Sequence, residues 1–467
     1  MEQLDQFLRI IRDWVWGAPL LLFLLGTGAY LTIILRGVQF RYLGYAFKQV
    51  VARQRQNSQG DIGHFEALMT SLAGAIGTGT IVGVATAVTV GGVGAIFWMW
   101  VTAFLSMATK YSESLLAVKY RKKDARGEMA GGPMQYMEKG LGIKWMAWIF
   151  AVLGMVAAIS TGNLVQTNSI AQAINHVWEV DPWITGLILC ALTAVVIIGG
   201  VKSIGQVACV LVPMMALMYI GAAVYILILN AGEIPAAFQL IFHSAWNGQA
   251  ATGGFLGATM MMAIQMGVAR SVFSNEAGLG ISSVAAAAAR TDSAPRQALI
   301  SMTGALFSTV IVCTMTGLVL AVTQVIGVRT EAGEMLNGAS LAIAAFNKNI
   351  LGGDYIVTIG LILFAYTTVL AWSYYGEKCC EYLFGEKSII AYRILFALVV
   401  IPGAALKMET AWYLADISNG LMVIPNLIAL IGLSKVIRTE TEEFLVTVEQ
   451  EKRGEIKIVY SGERVDA

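Results

Sequence analysis

The chain has 467 residues, of which 57% are hydrophobic and only 13% charged, and its mean hydropathy is +0.69. Soluble domains carry about 25% charged residues, so a soluble enzyme is excluded and lipid is the expected solvent. A net charge of +1 with no basic domain gives nucleic acid nothing to bind, and no nucleic-acid partner is expected. Cys190, Cys209, Cys313, Cys379 and Cys380 show neither zinc spacing nor a disulfide framework and read as buried thiols.

The first uncharged apolar run, 17–35, is preceded by Glu2, Asp5 and Asp13 and followed by Arg36 and Arg41. A signal peptide would be basic in front and would end in small residues, so a retained helix at about 17–36 is predicted. Further membrane helices follow at about 64–90, 91–118, 145–174, 183–201 and 204–230. A second group lies at about 253–288, 297–325, 354–384, 389–407 and 409–436. Each run is long enough to cross about 30 Å of hydrocarbon. The polar stretch after Val436 reads as a short soluble extension. The predicted class is therefore an all-α polytopic membrane protein of about 11 transmembrane helices.

Loop charge tests the count. Arg36, Arg41, Lys48, Arg53 and Arg55 fill the first loop, and Lys119, Arg121, Lys122, Lys123 and Arg126 the third. Lys202, Arg290 and Arg296, Lys387 and Arg393, and Lys435 and Arg438 mark the later alternate loops. The loops between are poor in Lys and Arg. Because basic loops stay in the cytoplasm, this alternation predicts an outside N-terminus and a cytoplasmic C-terminus. Trp14, Trp16, Trp145, Trp148, Trp178 and Trp183 sit near span ends as interfacial anchors.

Two spans differ from the rest. The second contains Ala73-Gly74-Ala75-Ile76-Gly77-Thr78-Gly79-Thr80, and the seventh contains Phe273-Ser274-Asn275-Glu276-Ala277-Gly278-Leu279-Gly280. Each glycine costs a helix about 1 kcal/mol relative to alanine, and neighbouring polar side chains compete for backbone hydrogen bonds. Both segments should unwind. They lie five helices apart, and an odd repeat re-enters the membrane inverted. Paired interrupted helices in two halves point to a transporter site between inverted repeats. The chain then divides into an N-terminal segment with the extra helix (1–63), a first five-helix repeat (64–230), a second inverted repeat (253–436) and a cytoplasmic tail (437–467).

Unwound backbone inside a membrane protein makes a site, because it frees amides and carbonyls. Half-helix N-termini suit a carboxylate, and C-termini suit a cation. A zwitterionic amino acid needs both. Amides around Thr78 and Gly79 are candidates for its carboxylate, and carbonyls around Phe273, Ser274 and Asn275 for its ammonium. For Gly79 and Gly83 close helix packing is an equal alternative. Glu276 is a charged residue in mid-span and so a functional candidate. It could order the break by accepting freed amides or bind the substrate amine, and Arg270 is an alternative structural partner. Thr367 and Thr368 could offer oxygens to Na⁺ beside carbonyls of Ala73, Gly74 and Ile76, or bond their own helix. Thr161, Asn163, Gln166 and Asn168 make the fourth span polar, with one or two facing the substrate. Trp372 and Phe273 could wall a side-chain pocket.

The run Gly91-Gly92-Val93-Gly94-Ala95-Ile96-Phe97-Trp98-Met99-Trp100 resembles the signature of the alanine or glycine:cation symporters. So do Gly77-Thr78-Gly79-Thr80-Ile81-Val82-Gly83, Ser274-Asn275-Glu276-Ala277-Gly278-Leu279-Gly280 and Gly131-Gly132-Pro133-Met134-Gln135-Tyr136. The resemblance covers nearly the whole chain, although Thr80 stands where many members carry Asn. It implies a LeuT-type fold of two inverted five-helix repeats with one extra N-terminal helix, in a bacterial or archaeal inner membrane. It also implies symport of alanine, glycine or a similar small amino acid with Na⁺, sometimes H⁺. By that resemblance the amino-acid site falls on Thr78, Gly79, Gln166, Phe273, Ser274, Asn275, Glu276, Ala277 and Gly278. The sodium site falls on Ala73, Gly74 and Ile76 with Thr367 and Thr368.

The expected function is sodium-coupled symport of a small neutral amino acid by alternating access. Proton coupling is the alternative, and a passive channel a weaker one, because no rings of charge line a span. His64, His176 and His243 lie near span ends or in loops and form no catalytic pattern, so no enzyme is expected. No cofactor is expected beyond the co-transported sodium ion, and the expected unit is a monomer.

Overall fold

The computed structural model describes residues 2–52, 58–247, 260–329, 333 and 335–455. Arg53, Arg55, the stretch 253–259 of the seventh predicted span and the tail beyond 455 lie outside the described residues. The described chain is helical apart from one two-stranded hairpin, β1 (Lys122–Lys123) with β2 (Met129–Ala130).

The N-terminal part comprises α1 (Glu2–Val15), α2 (Ala18–Ile34), α3 (Val38–Arg41) and α4 (Leu43–Val50). Next come α5 (His64–Ala75), α6 (Val84–Gly91) and α7 (Ala95–Lys119). After the hairpin follow a single turn α8 (Pro133–Gln135), α9 (Lys144–Ile159), α10 (Val165–Trp178), α11 (Pro182–Ile198), α12 (Gly200–Leu229) and α13 (Ile234–Asn247). The remainder is α14 (Met260–Asn275), α15 (Ser283–Ala288), α16 (Ala294–Ala305), α17 (Thr314–Val322), α18 (Gly338–Asn347), α19 (Gly353–Phe384), α20 (Ser388–Ala405), α21 (Met408–Gly432) and α22 (Ser434–Lys452).

Among the described residues, six helical segments are long and apolar enough to cross a bilayer, or up to eight when each bent pair counts as one span. The eleven expected from the apolar runs are therefore not all matched by such a helix. The shortfall has physical causes. The segment α11 has only 17 residues, α7 carries Lys110, Glu113 and Lys119, and the α14–α15 segment is interrupted.

Several elements have no counterpart in the apolar runs. The helix α1 is amphipathic, with Phe7, Ile10 and Trp14 exposed on one side. It is fixed to α21 where the Thr410 hydroxyl donates to Asp5 (2.6 Å) and the Trp16 indole donates to the Asp416 carbonyl (2.8 Å). Trp16 is thus buried rather than an interfacial anchor, while Trp14, Trp145, Trp148, Trp178 and Trp183 are exposed. The stretch read as a soluble extension is the helix α22, which buries Ile437, Thr441, Phe444 and Val448 along one face. Its Glu451 pairs with Arg296 at 3.0 Å.

Candidate functional site

The helix α5 stops at Ala75 and the chain resumes as a π-helical turn, Gly79–Gly83, before α6. The two halves are bent by 50°. Close approach is what the glycines provide. A Cβ on Gly77 would lie 2.4 Å from the Thr368 Oγ1, one on Gly79 2.6 Å from the Phe273 ring, and one on Gly74 2.9 Å from the Glu276 Oε1. The Thr78 amide freed by the break donates to the Gln166 side-chain oxygen at 3.2 Å, and the Thr80 hydroxyl closes the turn onto the Gly77 carbonyl at 2.8 Å.

The second break follows α14. Glu276, Gly278 and Gly280 take left-handed backbone angles (φ 59°, 90° and 76°). A non-glycine residue pays for that conformation, so surrounding groups must hold it. Glu113 on α7 does so: one of its oxygens accepts from the amides of Gly278 (2.8 Å) and Gly280 (3.1 Å) and from the Asn426 side chain (2.7 Å). Asn426 in turn donates to the Gly278 carbonyl at 2.9 Å. The Lys110 ammonium, one turn from Glu113, donates to the Asn275 carbonyl at 2.8 Å.

The role of ordering the second break thus belongs to Glu113 and not to Glu276, whose two oxygens are buried with no hydrogen-bond partner. Trp372 approaches the Glu276 carboxylate without closing a hydrogen bond. Nor does Arg270 pair with Glu276. Its guanidinium grips Asp416 on α21 at 2.8 and 3.2 Å and lies over the Trp412 ring. Trp412 packs at a tilt of 34° against Phe273 with centroids 4.8 Å apart, so this pair and these rings cap one end of the site.

The two threonines separate. The Thr368 hydroxyl lies 2.8 Å from the Ala73 carbonyl, at the end of α5, and 2.9 Å from the Phe364 carbonyl of its own helix. The Thr367 hydroxyl bonds the Phe364 carbonyl of its own helix and faces the Met215 sulfur on α12. Thr367 is therefore not brought to Ala73, Gly74 and Ile76, because adjacent residues on a helix point about 100° apart. The polar patch of the fourth span divides likewise. Gln166 faces the first break, Thr161 donates to Asn419, and Asn163 and Asn168 donate to carbonyls of Phe396 and Leu406. Of the carbonyls considered for an ammonium, that of Asn275 is already taken by Lys110.

Two more π-helical segments border these residues. Ser160–Leu164 precedes Gln166, and Leu306–Cys313 presents Cys313 and Thr309 to the Ser274 hydroxyl. Such bulges widen a helix locally and recur at functional sites. Thr78, Gln166, Ser274 and Asn275 are fully buried, as are Ala277 and Trp372. These groups lie in the interior of the described structure rather than on its surface.

The two breaks share a single interior, with Phe273 against Gly79 and Glu276 against Gly74, and this places the chain among proteins of known kind. The model of the sodium:alanine symporter family matches residues 1–458. The chain belongs to that family. It is 53% identical over 440 residues to the sodium/alanine symporter AgcS of Methanococcus maripaludis, covering 93% of this chain and 96% of that one. To the probable sodium/glutamine symporter GlnT of Bacillus subtilis it is 36% identical, over 98% of this chain and 94% of that one. The fold is shared with MhsT, solved in complex with L-phenylalanine, with a TM-score of 0.56 at 12% identity over 84% of this chain and 99% of MhsT. The symporter is thus an all-α, multi-pass membrane protein with the LeuT-type fold. It is a sodium-coupled symporter of a small amino acid, and a transporter rather than an enzyme.

The sequence reading missed Lys110, Glu113, Asp416 and Asn426. The signal was present, because charges inside an apolar span are functional candidates by default. Lys110 and Glu113 were hidden by their place near the end of a long run.

Proposed function

We propose that the symporter carries alanine or an amino acid of similar size, with Na⁺ bound at the first break. The alanine carboxylate meets the amides around Thr78 and Gly79, with Gln166 holding that segment in place. Its ammonium faces the carbonyls of Phe273 and Ser274, and its methyl packs between Phe273 and Trp372. Na⁺ lies among the carbonyls of Ala73, Gly74 and Ile76 and the Thr368 hydroxyl, while Glu276 supplies negative charge from the second break. Ala277 and Gly278 shape the turn that presents these groups.

The observation that carries this reading is the junction of the breaks. The Phe273 ring lies 2.6 Å from where a Gly79 Cβ would stand, so the two breaks are in direct contact there, and the proposed site beside that contact suits a small side chain. The identity to a sodium/alanine symporter over nearly the whole chain supports the same substrate.

The reading extends to topology. Eleven spans, counting α7, α11 and the interrupted α14–α15 segment, form two inverted repeats over 64–230 and 253–436. The residues before 64 add the extra helix, and 437–467 form the cytoplasmic tail. The N-terminus lies outside, and the protein works as a monomer in a cell inner membrane. In proteoliposomes, uptake of labelled alanine is expected to need an inward Na⁺ gradient and to be competed by glycine but not by phenylalanine. Uptake equal in Na⁺ and choline at any pH would remove the coupling.

A further inference from the structure

The run Gly131-Gly132-Pro133-Met134-Gln135-Tyr136 belongs to neither break and follows a loop rich in Lys and Arg, yet every residue from 129 to 137 is buried. Its two glycines let it enter. A Cβ on Gly131 would lie 2.4 Å from that of Ala287, and one on Gly132 2.8 Å from the Val284 side chain, both on α15. Gly132 also has a left-handed φ of 119°, which a side chain would resist. Pro133 then opens α8 against the second break. A Cβ on Gly280 would meet the Pro133 ring and the Asn426 side-chain oxygen, each at 2.7 Å. One turn on, the Tyr136 hydroxyl donates to that same oxygen.

The surroundings allow the Asn426 amide one orientation. Its other terminal atom faces the Gly278 carbonyl at 2.9 Å and a Glu113 oxygen at 2.7 Å. A backbone carbonyl only accepts, so the atom facing it is the amide nitrogen. The Glu113 oxygen also takes the Gly278 and Gly280 amides, and it accepts whether or not its partner oxygen carries a proton. Turned over, the amide would set its oxygen against two acceptors. Among the described residues, the buried Tyr136 hydroxyl is the one donor to the Asn426 oxygen.

We propose that Tyr136 is a positioning residue for the amino-acid site: it fixes the Asn426 amide, and Asn426 fixes the left-handed turn at Gly278 and Gly280. The buried loop and the second break then form one cooperative unit. Without the hydroxyl, the Asn426 oxygen is buried with no donor, and the turn gains conformations that cannot bind. Affinity falls with the fraction of protein still in the competent shape. Linkage also runs the other way: an amino acid that needs the turn ordered must tighten the seat of the loop.

This inference rests on the second break being part of the amino-acid site, and one experiment separates the two. Alanine binding in saturating NaCl is measured for wild type and Tyr136→Phe, with amide hydrogen exchange followed in peptides over 129–140 and 274–283. Tyr136→Phe should weaken alanine binding about tenfold. A hydrogen bond that only held the fold would, when lost, lower thermal stability and leave affinity within about twofold. In wild type, alanine should slow exchange in both peptides. Slowing at 274–283 alone, or unchanged affinity in Tyr136→Phe, overturns the inference and leaves the site standing. No slowing at 274–283 removes the second break from the site, and the inference with it. Should the variant fail to fold, wild-type exchange decides.

Discussion

Adjacent hydroxyls of one residue type can be given opposite fates by helix geometry. Both reach the Phe364 carbonyl of their own helix, but Thr368 also meets the Ala73 carbonyl, whereas Thr367 faces Met215. Thr368→Val is expected to raise the Na⁺ needed for half-maximal alanine binding about tenfold, the equivalent of about 1.4 kcal/mol, with the alanine pocket intact. Thr367→Val should change it less than about twofold, within the range of a lost intrahelical hydrogen bond. Binding titrations in NaCl, with choline replacing Na⁺, measure both. Gly79→Ala places a methyl 2.6 Å from the Phe273 ring, so it should abolish alanine binding while the protein still purifies folded; unchanged affinity would move the site away from this junction. The sequence made the glycines and threonines legible as candidates, because polar and flexible residues stand out in a greasy span. Which hydroxyl turned inward depended on the rotation of α19 against α5, and that is set by packing across the molecule. The partner of Arg270 was equally illegible: Asp416 lies 146 positions away.

At the scale of elements, interruption and clamping go together. Arg270 and Asp416 tie α14 to α21 in a buried, bidentate pair. Removing one partner strands the other charge, at a cost of about 3–5 kcal/mol. Arg270→Met should therefore lower thermal stability markedly, and Asp416→Asn added to it should recover part of the loss; equal melting of both would show that the pair is not buried in the working protein. On the opposite end, the β1–β2 hairpin is held against α19 by Asp124, which meets Lys378 at 3.3 Å and also contacts Arg126. Burial pushes the Asp124 carboxyl up, but the Glu128 amide, Lys378 and Arg126 outweigh it and hold it below the ordinary carboxylate value of 3.8. A group depressed in the folded state stabilises it above its unfolded pKa and loses that contribution as pH falls through the folded one. Wild type should thus melt above Asp124→Asn at neutral pH, and the gap should close at pH below about 4. A gap that ignores pH would contradict the assignment. Both breaks were legible as glycine runs with polar neighbours. The helices α1, α13, α18 and α22 were not, since short or amphipathic helices leave no long apolar run to find.

Across the whole molecule, the site lies where two interrupted segments meet, one from each half of the chain. In transporters built from inverted repeats, access to such a centre changes as one repeat rocks against the other around the fixed site. The membrane class and the family could be read from composition and motifs, since both are spread along the chain. The number of fully apolar spans could not, because α7 and the α14–α15 segment spend part of their length on buried charge and turn. The account's central claim is that a sodium ion held at the first break completes the amino-acid site. Its most direct test is equilibrium binding of labelled alanine to the purified symporter as NaCl replaces choline chloride, for wild type and Glu276→Gln. Wild type should bind alanine only as Na⁺ rises. Glu276→Gln should need far more Na⁺ or lose the dependence altogether. Alanine bound equally well in choline by wild type, or an unaltered Na⁺ dependence in Glu276→Gln, would contradict the account.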